Sequence, residues 1–228
     1  MNAPKFLSFC LLCLVFAFQA CDDDKNDDGT IDGVKSGTED FVWIGENVRY
    51  LLMNGEALAL GTVEDFDWDG FSGEITFPEY LKCDRKTFPV TKIETEAFKN
   101  CTKLGTVVFS RSMGTIATRA FYGCTNLYRV EFCYLHRYNV SLENFRFAKT
   151  GLTDAVLPAN TTYIGDGAFS DCPNLRFVKC DAPTPPELGS DVFSGTHSGL
   201  TITVPRASVE EYKTKWSAYA DKIEGTNY

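Results

Sequence analysis

The chain is predicted to be a mainly β solenoid with short helical turns, closed by a β cap at one end and a capping helix at the other. Three observations lead there. A phrase recurs: Ile93-Glu-Thr-Glu-Ala-Phe98-Lys-Asn-Cys101-Thr-Lys-Leu104 returns as Ile116-Ala-Thr-Arg-Ala-Phe121-Tyr-Gly-Cys124-Thr-Asn-Leu127 and as Ile164-Gly-Asp-Gly-Ala-Phe169-Ser-Asp-Cys172-Pro-Asn-Leu175. The period is steady: Phe98, Phe121, Phe145, Phe169 and Phe193 follow one another at 23, 24, 24 and 24 residues, with Ile93, Ile116, Val140, Ile164 and Leu188 five positions earlier. After each phrase, apolar residues alternate with period two, as in Leu104-x-x-Val107-x-Phe109 and Leu127-x-x-Val130-x-Phe132. A period of this size means stacked units that bury their apolar faces on one another, so function belongs on a surface shared by neighbouring repeats.

Residues 1–20 read as a secretory signal. Lys5 supplies a positive start, Phe6–Phe18 an apolar run of 13 residues, and Ala20 a small residue before Cys21. Such a run is short for a bilayer span and fits a signal peptide. Residues 21–40 form a tether: residues 22–40 hold eight acidic and two basic side chains, a net −6, and like charges at this density repel and extend the chain. Residues 41–87 are expected to be the β cap, with Val48–Leu52 and Ala57–Val63 flanking Asn54-Gly55, a strong hairpin signal.

The repeats are assigned to residues 88–205. In each, the segment after Leu104, Leu127 or Leu175 reads as a short strand, and the stretch between the aliphatic and the leucine, too short for a full helix, reads as a turn or a few residues of 3₁₀ helix. The repeat built on Val140 and Phe145 and the one built on Leu188 are degraded, each with one extra residue before its leucine, Leu152 or Leu200. Cys101, Cys124 and Cys172 share a column with Ala148 and Thr196; with coils ~4.8 Å apart, only Cys101 and Cys124 are within disulfide reach, and their side chains should run parallel as buried free thiols. Residues 206–228 are the C-terminal cap, opened by a capping box at Ser208 and Glu211, with Val209, Tyr212, Trp216, Tyr219 and Ile223 on one face. That stripe fits the exposed end of a solenoid better than a membrane surface.

These repeats, running into Ile202-Thr-Val204-Pro205, Tyr212 and Trp216, resemble the BspA-like leucine-rich repeat surface proteins over about residues 85–225. The resemblance implies a leucine-rich-repeat solenoid with a binding or adhesion role at the cell surface and no catalysis. Ala20-Cys21 followed by Asp22-Asp23-Asp24 is similar to a bacterial lipoprotein signal, with Cys21 the lipidated first residue; Phe18 departs from the usual leucine, leaving ordinary signal-peptidase cleavage as the alternative. The acidic run behind Cys21 resembles the export tag of Bacteroidetes lipoproteins, which implies the outer face of the outer membrane, with the lipid as the only membrane contact.

Charge and motif content narrow the function classes. The net charge is −9 and no basic stripe is present, which argues against nucleic acid as a partner. No phosphate-binding loop, metalloprotease or nucleophile-elbow motif occurs, and the two histidines, His136 and His197, lack a fixed nucleophile context. No cofactor is expected. Asp65, Asp67 and Asp69, ahead of Gly70, match the start of a calcium loop with Thr76 at its twelfth place, and Asp24 to Asp32 match another with Lys35 where the bidentate glutamate belongs; a solvated loop and a charged tether are the simpler readings.

The expected ligand surface is the outward set on the repeat strands, among them Arg129, Glu131, Asp154, Phe177 and Lys179, with Arg129 and Phe177 as anchors. An aromatic cluster at Tyr134 and Tyr138 offers a second surface. The expected partner is an extracellular protein or glycan, in an adhesion role, a glycan-uptake role or a surface coat.

Overall fold

The computed structural model describes residues 41–44, 48–62, 73–83, 86–132 and 139–226. The chain opens with β1 (Phe41–Ile44), β2 (Val48–Met53) and β3 (Glu56–Thr62), an antiparallel meander. The expected hairpin turn is there: Asn54 and Gly55 sit at φ 51° and 78°, the two positive values a tight two-residue turn needs. Val48, Tyr50 and Leu52 alternate inwards on β2, and burial pushes the Tyr50 phenol well above its usual pKa. Next come β4 (Glu74–Thr76), β5 (Tyr80–Cys83) and β6 (Lys86–Ile93), the last two forming an antiparallel hairpin. The switch to solenoid geometry happens at β3, which pairs in parallel with β6 through Ala57↔Val90 and Ala59↔Ile93.

From there the coils repeat. A short strand on one side, a turn carrying the phenylalanine, and a four-residue strand on the other side follow in order: β6 then β7 (Thr106–Phe109), β8 (Thr115–Ile116) then β9 (Arg129–Phe132), β10 (Val140–Leu142) then β11 (Asp154–Leu157), β12 (Thr161–Ile164) then β13 (Phe177–Cys180), β14 (Glu187–Leu188) then β15 (Thr201–Val204). The first members line up in parallel as β3-β6-β8-β10-β12-β14. The second members form two groups, β4-β7-β9 and β11-β13-β15, the latter extended by β16 (Ile223–Gly225). Strand β4 already belongs to this ladder, and Phe77 stacks on Phe109 at 5.8 Å, so the stacked layers start inside the stretch read from sequence as cap.

The turns are built by backbone handedness. Each coil has a positive φ two residues before and two residues after its buried phenylalanine: Arg119 and Gly123 around Phe121, Phe145 and Lys149 around Phe147, Gly167 and Asp171 around Phe169, Asp191 and Gly195 around Phe193. These tight turns let the amide of one coil donate to the carbonyl of the next, as in Phe98 N–H to Ala120 O at 2.8 Å, Phe121 to Arg146 at 2.9 Å and Phe147 to Ala168 at 2.9 Å. Residues forced to φ near +55° that are not glycine carry a local cost, which the ladder holds in place.

One expectation is corrected here. The buried column is Phe98, Phe121, Phe147, Phe169 and Phe193, neighbouring centroids lying 5.3 to 5.7 Å apart, whereas Phe145 is 37% exposed. The aliphatic partner of Phe147 is Leu142, paired with Ile116 and Ile164, and not Val140. The column of small polar residues shifts with it: Thr150, not Ala148, takes its place beside Cys101, Cys124 and Cys172, with Thr150 Oγ1 3.2 Å from Cys172 Sγ. Where Ala97, Ala120 and Ala168 precede their phenylalanines, this coil has Arg146, wholly buried; its Nε and Nη1 donate to Glu143 O and Ser141 O, and Nη2 has no hydrogen-bond partner among the described residues. Burial pushes this guanidinium well below its ordinary pKa, against a pull upwards from the Glu143 and Tyr163 charges.

Cys101, Cys124, Cys172 and Cys180 are buried and free. Cys124 and Cys172 donate to Phe98 O and Phe147 O, each at 3.0 Å. A hydrogen bond with Cys101, with burial, pushes the Cys124 thiol up; burial does the same at Cys172 and Cys180. Raised thiols of this kind favour the protonated, packing form, whereas the hydrogen bond with Cys124 pulls the Cys101 thiol down.

The C-terminal cap is not one helix. A 3₁₀ turn at Arg206–Ser208 leads into α1 (Val209–Lys215), a second 3₁₀ stretch spans Ser217–Lys222, and β16 adds to β15 through Ile202↔Ile223. The expected capping box does not form: Ser208 makes no side-chain cap bond and its hydroxyl donates to Pro183 O at 2.5 Å. The apolar stripe does face the core, with Tyr212, Trp216 and Ile223 buried and Val209 and Tyr219 packed against it. No helix among the described residues is long and apolar enough to cross a membrane.

Candidate binding face

The second strands of the coils present one side chain inwards and the next outwards. Burial alternates along β7, β9, β11, β13 and β15, with Val107, Val130, Ala155, Val178 and Ile202 buried in register. The outward side chains form two rows across the coils. Glu74, Thr106 and Arg129 are in register on one group, and Asp154, Phe177 and Thr201 on the other. The second row runs Thr76, Val108, Glu131, then Val156, Lys179, Thr203. Arg129, Glu131, Asp154, Phe177 and Lys179 therefore share one face, as the period-two pattern predicts.

The charges of this face are largely matched along their own strands. Arg129 Nε lies 2.6 Å from Glu131 Oε1, and Lys179 Nζ 3.0 Å from Asp181 Oδ1. Asp154 Oδ1 accepts from Thr153 Oγ1 at 2.8 Å. Ion pairs this exposed add little to stability, and their carboxylates and cations remain available to a ligand. Phe177 is 61% exposed, the most exposed of the large apolar side chains among the described residues.

Tyr128, one position ahead of β9, is the residue that alternation misses. The residue is 53% exposed, and its ring lies against Gly105, where an added Cβ would meet Tyr128 Cε1 at 3.1 Å and Gly73 O at 3.3 Å. A glycine at 105 is what lets the ring settle on the neighbouring coil. The repeat counterpart of Tyr128 is Arg176, so the periodicity carries no signal for an aromatic at this place. The turn edge opposite carries a separate cluster, with the Arg119 guanidinium 5.9 Å from the Tyr122 ring and 6.0 Å from the Phe145 ring.

Tyr134, Tyr138 and His136, the calcium candidates Asp65, Asp67 and Asp69, the second acidic loop and Cys21 lie outside the described residues. Thr76, the twelfth place of the calcium pattern, sits in β4, where its hydroxyl donates to Glu74 Oε1 at 3.2 Å. Among the described residues no group of histidine, cysteine and acidic side chains is arranged to hold a metal ion. His197 Nδ1 accepts a bond from Gly199 N–H at 3.0 Å, a local turn contact.

Known proteins place this geometry. A leucine-rich repeat protein from Bacteroides capillosus superposes with a TM-score of 0.52 at 20% identity, covering 61% of this chain and 98% of that one. The T. pallidum leucine-rich repeat protein TpLRR gives 0.50 at 21%, covering 81% and 97%. The pneumococcal vaccine antigen PcpA gives 0.53 at 19%, covering 72% of this chain and 49% of PcpA, about half its length. These likenesses are likenesses of fold. No protein of curated function matches the chain. The model of the BspA type leucine-rich repeat region matches residues 75–198 and 140–221 in six copies, well over half of the sequence. Its repeats are the coils described above, and the chain belongs to the BspA type leucine-rich repeat family.

Proposed function

We propose that this protein is a lipid-anchored, surface-exposed binding protein of the bacterial outer membrane that takes an extracellular macromolecule on the open strand face and does no chemistry on it. The observation that carries the reading is the set of outward rows on two adjacent parallel ladders, Arg129 and Glu131 on one and Asp154, Phe177 and Lys179 on the other, with Phe177 61% exposed. Aromatic and arginine side chains dominate binding energy at interfaces, and a mixed-charge, open surface suits a large ligand better than a small metabolite. Among the described residues the free thiols are buried and His197 is engaged in a local turn bond with Gly199, which favours binding over catalysis.

The test is a binding screen with extracellular-matrix proteins and a glycan array. With a ligand from either, Arg129→Ala and Phe177→Ala should each weaken binding by more than about 1 kcal/mol with unchanged melts. Full affinity in the double variant would move the site to Tyr134 and Tyr138 or to the β cap. Anchoring rests on Ala20-Cys21 and the acidic run behind it. Cys21→Ala should leave the membrane fraction, because one acylated terminus would be the hydrophobic anchor. Retention of that variant in the detergent phase would refute the lipoprotein reading.

A further inference from the structure

Two shallow troughs open at the leading edge of the strand face, one on each strand group. The first is lined by Glu74, Lys103, Thr106, Asn126 and Tyr128. The second is lined by Thr153, Asp154, Asn174, Arg176 and Phe177. Each thus brings together one carboxylate, one cation, one threonine, one asparagine and one exposed aromatic ring. The correspondence is partly positional: Asn126 and Asn174 each stand five residues after a column phenylalanine, Phe121 and Phe169, and Glu74 and Asp154 are each the first residue of their strand. Tyr128 and Phe177 belong to coils two apart, with β11 between their strands.

We propose that these troughs are paired subsites for a neutral, extended glycan. The inference rests on the strand face being the ligand surface. A pyranose presents an apolar C–H face and an equatorial rim of hydroxyls, and each trough offers a ring for the face with donors and acceptors for the rim. The Tyr128 ring, settled on Gly105, is held as a platform before a ligand arrives, which lowers the ordering cost of binding. Acid and base are balanced in each trough, so neither attracts a polyanion or a polycation. A protein partner would call for a contiguous apolar centre ringed by polar groups. Here the two rings stand apart, each surrounded by polar side chains, which suits successive units of a repeating ligand. Subsites two coils apart on one scaffold act together on one chain, so that each raises the effective concentration for the other.

The experiment is affinity electrophoresis of the full chain in native gels containing a mixed-linkage β-glucan, a galactomannan, an arabinoxylan or an α-glucan, against a gel without polysaccharide. Retardation is expected in at least one. Tyr128→Ala and Phe177→Ala should each weaken it at least tenfold with unchanged melting, and Tyr128→Phe, which keeps the ring, should retain it. Four gels without retardation would overturn the glycan assignment; if a protein ligand from the binding screen is then lost with Phe177→Ala, the strand face stands without it. Retardation that survives the double Tyr128→Ala, Phe177→Ala substitution would overturn both the troughs and the face.

Discussion

The Phe147 ring stacks at 5.5 Å on both Phe121 and Phe169, while Phe145, two residues earlier, takes φ 52° and lays its ring over Gly167, where an added Cβ would meet it. Their costs on truncation should differ accordingly. Phe147→Ala should lose about 3–5 kcal/mol through transfer and cavity terms. Phe145→Ala, away from the core column, should lose under about 1 kcal/mol. Urea melts of the two variants decide it, and a reversed ranking would dismantle the column. Phe145 keeps the sequence spacing at 24 residues, but the true steps are 23, 26, 22 and 24, because the coil entering Phe147 is longer and the one leaving it shorter. Arg146 hides the register further, since it stands where Ala97, Ala120 and Ala168 would announce the phenylalanine. Periodicity weighs a residue by position; burial depends on which side of the turn the backbone presents it.

Single elements follow the same logic at their ends. The last coil has no successor to accept its amides, and Tyr219 Oη takes the Phe193 N–H at 3.2 Å where the next coil would supply a carbonyl. Trp216 Nε1 donates to Pro186 O at 3.0 Å and Tyr212 Oη to Ala182 O at 2.8 Å, so the cap is tied on by aromatic side chains with polar tips. Tyr219→Phe should therefore cost about 1–3 kcal/mol, the penalty of a polar group left without its partner. An unchanged melting midpoint would show that water replaces the hydroxyl. The hairpin at Asn54-Gly55 was legible because two consecutive positive-φ residues have few sequence solutions. The capping box was not, because Ser208 finds a longer-range acceptor in Pro183, a contact no local motif can announce.

Across the whole molecule, the outward rows were legible and their flanks were not. Alternation places Arg129, Glu131, Asp154, Phe177 and Lys179 without any knowledge of how coils meet, but Tyr128 is exposed because of what lies beneath it, a glycine of the preceding coil. The same coil boundaries differ in strength on the two sides of the solenoid. At the turns, coils meet through Arg119 N–H to Asn144 O at 3.0 Å, Phe121 N–H to Arg146 O at 2.9 Å and Gly123 N–H to Ala148 O at 3.0 Å. Between β9 and β11, among the described residues, no ladder forms, and Thr153 N–H reaches Tyr128 O at 3.4 Å. In native-state hydrogen exchange, amides on the facing edges of β9 and β11 should exchange faster than those at Phe121 and Gly123. Equal protection on both sides would remove the asymmetry.

That missing ladder gives the scaffold a mechanical character. A stack fastened along one margin and loosely joined along the other opens like a book, with its spine at the turns and its free pages at β9 and β11. Tyr128 is on one page and Phe177 on the other. Flexing at the spine would change the distance between them while the phenylalanine column stays shut, letting the gauge of the face adjust to what lies across it without exposing the core.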